Sequence, residues 1–301
     1  MRTKEFFTIT IMLNTQSAAF ETSLNQFIAS ALSEDIGSGD QSAMACLDPN
    51  AIGAADCLIK AKGVIAGIEM AQRIFAHFDQ RIRFKAHLVD GDSIQEGVIA
   101  FRVEGPQASL LSTERLVLNC LQRMSGIATL TQKVQQLIAH TNCRVLDTRK
   151  TTPNFRIAEK WAVKIGGGEN HRMGLYDMIM LKDNHIDYAG GVAQAIEKTV
   201  SYLKQQSKSL PIVVETRTLE EVGACLAYTG SIARILLDNM NTDRLREALQ
   251  LIDGRIPTEA SGGINLNNVV SIAETGVDYV SMGSIIYSAK VLDMSLKAVN
   301  G

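Results

Sequence analysis

The chain has 301 residues, 46% of them hydrophobic and 21% charged, with a net charge of −2; that suffices for one large domain and a smaller one. A near-neutral balance argues against a general nucleic-acid binder, which needs a basic face, and no apolar run approaches the ~20 residues that cross a bilayer. The five cysteines, Cys46, Cys57, Cys120, Cys143 and Cys225, are scattered and form no Cys-x-x-Cys pair, which suits a cytoplasmic, reducing setting and argues against disulfides or structural zinc.

In chain order, Met1-Arg-Thr-Lys4 followed by the apolar residues 6–13 has the outline of a signal peptide. The apolar stretch is short, holds two threonines and leads to no clear cleavage site, so it reads as a frayed tail. Residues 24–32 have helical apolar spacing, and residues 34–40 read as a polar turn. Alternating stretches at 54–61, 81–89 and 93–103, punctuated by glycines, predict a small sheet with tight turns. A long helix is expected over about 112–140, with Leu116, Leu121, Ile127, Leu130 and Leu137 toward the core.

The rhythm then changes. Six short apolar strands, at 143–146, 178–181, 212–214, 233–237, 256–258 and 277–280, alternate with helical stretches, among them 194–204, 219–228, 242–251 and 267–274. Strands separated by helices imply parallel pairing through right-handed crossovers, and the repetition predicts a closed or nearly closed α/β barrel. Each strand ends on polar or glycine residues: Asp147-Thr-Arg-Lys150, Lys182-Asp-Asn-His185, Glu215, Asp238-Asn239, Ser261-Gly-Gly263 and Ser281-Met-Gly283. In such barrels the loops after the strands open on one face, which carries the active site, so these distant residues should converge.

Their chemistry is that of an anion site. Arg149, Lys150, His171, Arg172 and Lys182 lie at or near two strand ends, and arginine's planar fork matches carboxylate or phosphate oxygens. Arg144 and Lys160 read instead as solvated surface charges. Ser261-Gly262-Gly263 and Ser281-Met282-Gly283-Ser284 follow the last two strands, where barrels often hold a phosphate. The flexible Gly166-Gly-Gly-Glu-Asn-His-Arg172 segment would swing His171 and Arg172 over a ligand. Glu215 and Asp238, on adjacent strand ends, could hold Mg²⁺, bind ribose hydroxyls or stabilise a cationic transition state. A glycosidase-type acid and base pair is the rival reading, disfavoured by the surrounding cations. Asp147 and Asp183 are expected to orient neighbouring basic groups, and Trp161 to pack.

Seven strings occur in order: Glu114-Arg115-Leu-Val-Leu-Asn119, Ser125-Gly-Ile-Ala-Thr129, Asp147-Thr-Arg-Lys-Thr-Thr-Pro153, Gly166-Gly-Gly-Glu-Asn-His-Arg172, Lys182-Asp-Asn-His185, Leu237-Asp-Asn-Met240 and Ala260-Ser-Gly-Gly-Ile264. Together they closely resemble the quinolinate phosphoribosyltransferase family, over residues 24–289. The resemblance implies an N-terminal α/β sandwich domain (14–126, after the tail at 1–13) and a C-terminal open, TIM-like α/β barrel (127–289). Residues 290–301 would return to the sandwich. It implies a homodimer with shared active sites, and no nucleic-acid or membrane partner. The implied reaction transfers phosphoribosyl from phosphoribosyl pyrophosphate to quinolinate with loss of carbon dioxide, a step towards NAD. By matching motif, Arg149, His171 and Arg172 would bind the quinolinate carboxylates, and Lys150 and Lys182 would flank quinolinate and pyrophosphate. Arg115 would reach the partner's site, and Glu215 and Asp238 would face the ribose and its Mg²⁺. Ser261, Gly262, Gly263, Ser281 and Gly283 would cradle the 5′-phosphate. Asn154-Phe155 and Tyr287 depart from the family pattern, as do Ser42, Val213 and Thr216. A related phosphoribosyltransferase with another substrate, or a silent binding protein on the same scaffold, are the alternatives.

Overall fold

A computed structural model describes residues 14–299, so the N-terminal segment at 1–13 lies outside the described residues. The chain divides into two compact units. Among the described residues, one comprises Lys133–Lys150 and Gly168–Ser284, and the other comprises the remainder.

The N-terminal unit carries a four-stranded antiparallel sheet. Its strands lie in the order Met294–Val299, Ile52–Ile59, Ile99–Pro106, Arg83–Ala86. Period-two burial places Ala55, Cys57 and Ile59 on the core face, as expected for a strand packed on one side. Phe75, from the helix Ile68–Phe78, meets Phe101 edge-on with ring centroids 6.2 Å apart. The first helix, Ala18–Ile36, starts at Ser17, whose hydroxyl accepts from the Phe20 N–H, satisfying one otherwise orphaned donor. Phe20, Leu24, Ile28 and Leu32 recur every four residues and are buried, each contributing about 1.5–3 kcal/mol. This helix continues through Glu34 and Asp35, where a turn was expected; the turn begins at Gly37, whose φ of 54° suits glycine.

A 31-residue helix, Gln107–Leu137, follows. Leu121 and Ile127 are fully buried, but Leu137 is exposed, and the stripe is completed by Val117, Met124 and Val134. The compact units interleave along the chain. The segment Thr151–Gly167 groups with the N-terminal sheet because its helix Arg156–Ile165 packs Trp161 edge-on against Phe20, centroids 5.3 Å apart.

The second unit is built on six parallel strands. In chain order they are Arg144–Leu146, Ile179–Leu181, Ile212–Thr216, Arg234–Asp238, Thr258–Ser261 and Tyr279–Ser281. Their spatial order is first, sixth, fifth, fourth, third, second, so the first and second strands form the two edges. Period two decides which side chains share a face. Leu236 stands opposite Glu215 and Glu259, and Asp238 stands opposite Ser261. Arg234, Leu236 and Asp238 therefore share one face with Glu215, Glu259 and Ser261, while Ile235 and Leu237 point to the other. On the shared face, Val213 and Leu236 pack with Met178 and Met180. Among the described residues no helix is long and apolar enough to cross a membrane.

Candidate active site

Parallel pairing puts the C-terminal ends of all six strands at one end of the sheet. Across that end the loops run Asp147–Lys150, Ser281–Gly283, Ser261–Gly263, Asp238, Glu215, Lys182. The two glycine loops thus lie between a cationic loop on one side and two carboxylates on the other.

The cationic side is anchored from below. The chain after Gly168 runs alongside the first strand: the Glu169 N–H donates to Val145 O and the Asp147 N–H to Glu169 O. Asp147, fully buried, accepts from the His171 N–H (2.8 Å) and the Asn170 amide (2.7 Å). His171 and Arg172 are consequently buried and held, not carried on a swinging loop as the glycine run suggested. Arg172 donates through Nη1 to Met178 O at 3.2 Å. Burial, and next the neighbouring Arg149 charge, lower the Arg172 pKa. Arg172 is thus buried within reach of the Arg149 charge, a setting that favours an anion. Arg149 and Lys150 are exposed at the loop.

On the carboxylate side, Asp238 accepts from the Ser261 hydroxyl (2.6 Å) and the Asn239 amide (2.6 Å), one to each oxygen. Glu215 is half-buried; Lys182 Nζ lies 3.8 Å from its Oε2, and the Asp183 N–H points at Oε1 from 3.4 Å. Burial raises the Glu215 pKa; Lys182 opposes this and Asp238 adds to it. So Asp183 serves Glu215 through its backbone. Among the described residues no group of three or more His, Cys, Asp or Glu could hold a metal unaided. Two adjacent carboxylates, one of them under-compensated, do fit Mg²⁺ that arrives with substrate phosphates, since that ion is usually held by one or two carboxylates plus phosphate oxygens.

Gly262 (φ 93°) and Gly263 (φ 61°) both take left-handed backbone. At Gly262 a Cβ would also collide with the side chain of Asn239, itself at φ 54°, so this crossing needs glycine. The helices after the two glycine loops are short, Val269–Ala273 and Ser284–Tyr287; a phosphate here would meet loop amides rather than a long helix dipole. Ser281 is buried and its hydroxyl donates to Glu259 at 2.7 Å, which points it into the barrel and away from a phosphate role. Gly283 is partly exposed.

Arg115 lies in the N-terminal unit, as expected, exposed on the long helix. One sequence reading changes. Lys160 is fully buried, not a surface charge. Its neighbour Glu159, also fully buried, accepts from Arg123 and from the Thr152 N–H and hydroxyl. Glu259 and Arg234 were missed altogether; their signal was a pair of charges inside otherwise apolar strand runs.

Residues 127–297 match the profile of the quinolinate phosphoribosyl transferase C-terminal domain, and residues 40–125 match that of its N-terminal domain. The chain belongs to the quinolinate phosphoribosyltransferase family. It is 44% identical over 288 residues to "Quinolinate phosphoribosyltransferase [decarboxylating] 2b, mitochondrial" of Nicotiana tabacum, covering 91% of this chain and 82% of that one. A Bacillus subtilis family member, named a probable nicotinate-nucleotide pyrophosphorylase [carboxylating], is 38% identical, with 87% and 89% covered. The crystal structure of NadC from Streptococcus pyogenes superposes with a TM-score of 0.87 at 37% identity, covering 95% of this chain and all of that one. The two-unit α/β architecture is thus the quinolinate phosphoribosyltransferase fold.

Proposed function

We propose that the chain catalyses phosphoribosyl transfer from phosphoribosyl pyrophosphate to quinolinate, with decarboxylation, giving nicotinate mononucleotide, pyrophosphate and carbon dioxide for NAD synthesis. The observation that carries this reading is the separation of charge at the strand ends: the buried Arg172 with the exposed Arg149 on one side of the glycine loops and the Glu215–Asp238 carboxylates on the other.

That layout suits the chemistry. The quinolinate carboxylates take the Arg149–Arg172 corner, with Lys150 beside it. The glycine loops hold the 5′-phosphate, and Glu215 and Asp238 face the ribose. The ring nitrogen attacks C1′ as the bond to pyrophosphate breaks, and the sugar passes through a cationic state that the two carboxylates stabilise. Lys182 and Lys150 draw the departing pyrophosphate. Mg²⁺, held by Glu215 and Asp238 with the phosphates, would supply further neutralisation of that leaving group. The bond from the 2-carboxylate to the ring then breaks. Its electron pair stays on the carbon beside the now-cationic nitrogen, carbon dioxide leaves, and a solvent proton replaces it. Most of the protein's contribution is placement and fixed charge.

Quinolinate should be used far better than nicotinate, because several cations converge on a small ring and a dianion engages more of them. Measuring nucleotide and carbon dioxide with each acid, phosphoribosyl pyrophosphate and Mg²⁺ tests this; equal kcat/KM for both would overturn the assignment.

The reading includes a cytosolic homodimer in which Arg115 serves the partner's site. What supports it is that Arg115 is an exposed cation set far along the chain from the barrel loops, within a family-like string, and that a two-fold interface is reciprocal. All five cysteines are free, and burial pushes the thiols of Cys57, Cys120, Cys143 and Cys225 up to about 12, which suits a reducing setting. Mixing inactive Arg115→Ala and Lys150→Ala proteins should restore about one quarter of parental activity, since half the dimers would be mixed with one intact site each. No recovery despite subunit exchange would confine Arg115 to its own chain.

A further inference from the structure

Beneath the arginine corner lies a charge that the reaction does not use. Glu259, on the fifth parallel strand, is fully buried. An isolated carboxylate there would cost several kcal/mol, so its partners matter. Oε1 accepts from Ser281 (2.7 Å) and Oε2 from Arg234 Nη1 (2.9 Å), while His171 Nε2 lies 3.4 Å from Oε2. Burial alone would raise the Glu259 pKa; the neighbouring His171 and Arg234 oppose it and hold the carboxyl below its ordinary value.

The geometry of Arg234 is informative. Its guanidinium stacks on Tyr279 at 4.1 Å and gives Glu259 a single nitrogen, while its Nε is buried without a hydrogen-bond partner. A two-pronged arginine–carboxylate pair would be the stronger arrangement. Glu259 forgoes it, and its Oε2 is left facing His171 as well.

His171 is hydrogen-bonded at Nδ1 and faces the Glu259 carboxylate with Nε2 at 3.4 Å, a charge contact rather than a formed hydrogen bond. Nδ1 accepts from the Arg172 N–H at 2.8 Å, so it carries no proton, and the ring proton sits on Nε2, towards Glu259. The carboxylate thus selects the tautomer, and the tautomer leaves Nδ1 free to hold the Arg172 backbone. Resting on the proposed function, we propose that Glu259 is a positioning residue for quinolinate: through His171 it fixes Arg172, without touching substrate.

Two kinds of measurement test this. The first is the ¹⁵N spectrum of histidine-labelled parent protein, with His171 assigned by its loss in His171→Asn. A ring with its proton on Nε2 and none on Nδ1 is expected; a ring protonated at Nδ1 would overturn the proposal, whatever the substrate proves to be. The second is kinetic. Glu259→Gln should raise the quinolinate KM by about 10-fold, the effect of losing one charge-assisted hydrogen bond, with the KM for phosphoribosyl pyrophosphate within twofold. Glu259→Asp, which keeps the charge but withdraws it by one methylene, should show the same split and serves if the glutamine variant fails to fold. A lowered melting temperature with both KM values unchanged would make Glu259 structural only and sink the proposal. Absence of quinolinate turnover in the parent would instead refute the activity, leaving the spectrum to judge Glu259.

Discussion

Glu215→Gln is expected to lower kcat by at least about 100-fold while raising the melting temperature of the substrate-free protein. The functional loss follows from removing a fixed negative charge beside a sugar that becomes cationic; one such group is worth about 10²–10³ in rate. The stability gain follows from the sign of the shift. Burial, as the largest cause, raises the Glu215 pKa above its ordinary value. A carboxylate raised on folding opposes folding once it ionises, so stability falls as pH climbs from the unfolded pKa through the folded one. Glutamine keeps the shape and escapes that cost. The lost Lys182 contact, at 3.8 Å with a half-exposed lysine, is worth little. Melting curves at pH 7.5 and near pH 4.5 check this: the advantage of the variant should shrink on acidification, as parental Glu215 takes up a proton. A lower-melting variant with parental turnover would reduce Glu215 to a partner of Lys182.

Arg172→Lys should lower kcat/KM for quinolinate by about 10- to 100-fold, the loss of one or two charge-assisted hydrogen bonds, with melting temperature nearly unchanged. Lysine keeps the charge but not the planar fork, and the Nη1 bond to Met178 O is the part of the arginine that orients it. Repulsion between Arg149 and Arg172 adds a second readout. A dianion relieves that repulsion, so quinolinate should raise the melting temperature of the parent and raise that of Arg172→Lys less. Parental kinetics in the variant would mark Arg172 as a packing residue.

The barrel was legible in the sequence where its strands are apolar on both faces. Residues 212–214 and 233–237 were read almost as they fold, because Ile235 and Leu237 alternate with Leu236, all buried. The fifth strand was read too early, at 256–258. Pro257 ends no ladder in an apolar run, whereas the strand itself, Thr258–Ser261, has glutamate and serine facing the polar half of the interior. That polar half also hid Glu259, which directly follows the stretch read as strand and so looked like its end; Arg234 lay inside the stretch 233–237, where the apolar neighbours masked it. The cations after the first and second strands were legible because chemistry collects in the loops there. Their support was not: the grip of Asp147 on His171 spans 24 residues and has no local signature. Lys160 was misread for the same reason, its burial being set by tertiary packing of a helix whose own spacing allows a solvent-facing lysine.

The pairing of Met294–Val299 with Ile52–Ile59 has a consequence for synthesis. The ribosome releases the second of these strands more than two hundred residues after the first, roughly ten to fifty seconds later at about 5–20 residues per second. Through that interval Ile52–Ile59 can pair with Ile99–Pro106 but keeps its other edge open, and an open edge recruits other chains. The nascent protein therefore depends on protection, by chaperones or by slow expression, until its last strand emerges. Overexpression at high temperature should yield aggregates seeded by this sheet rather than by the parallel barrel.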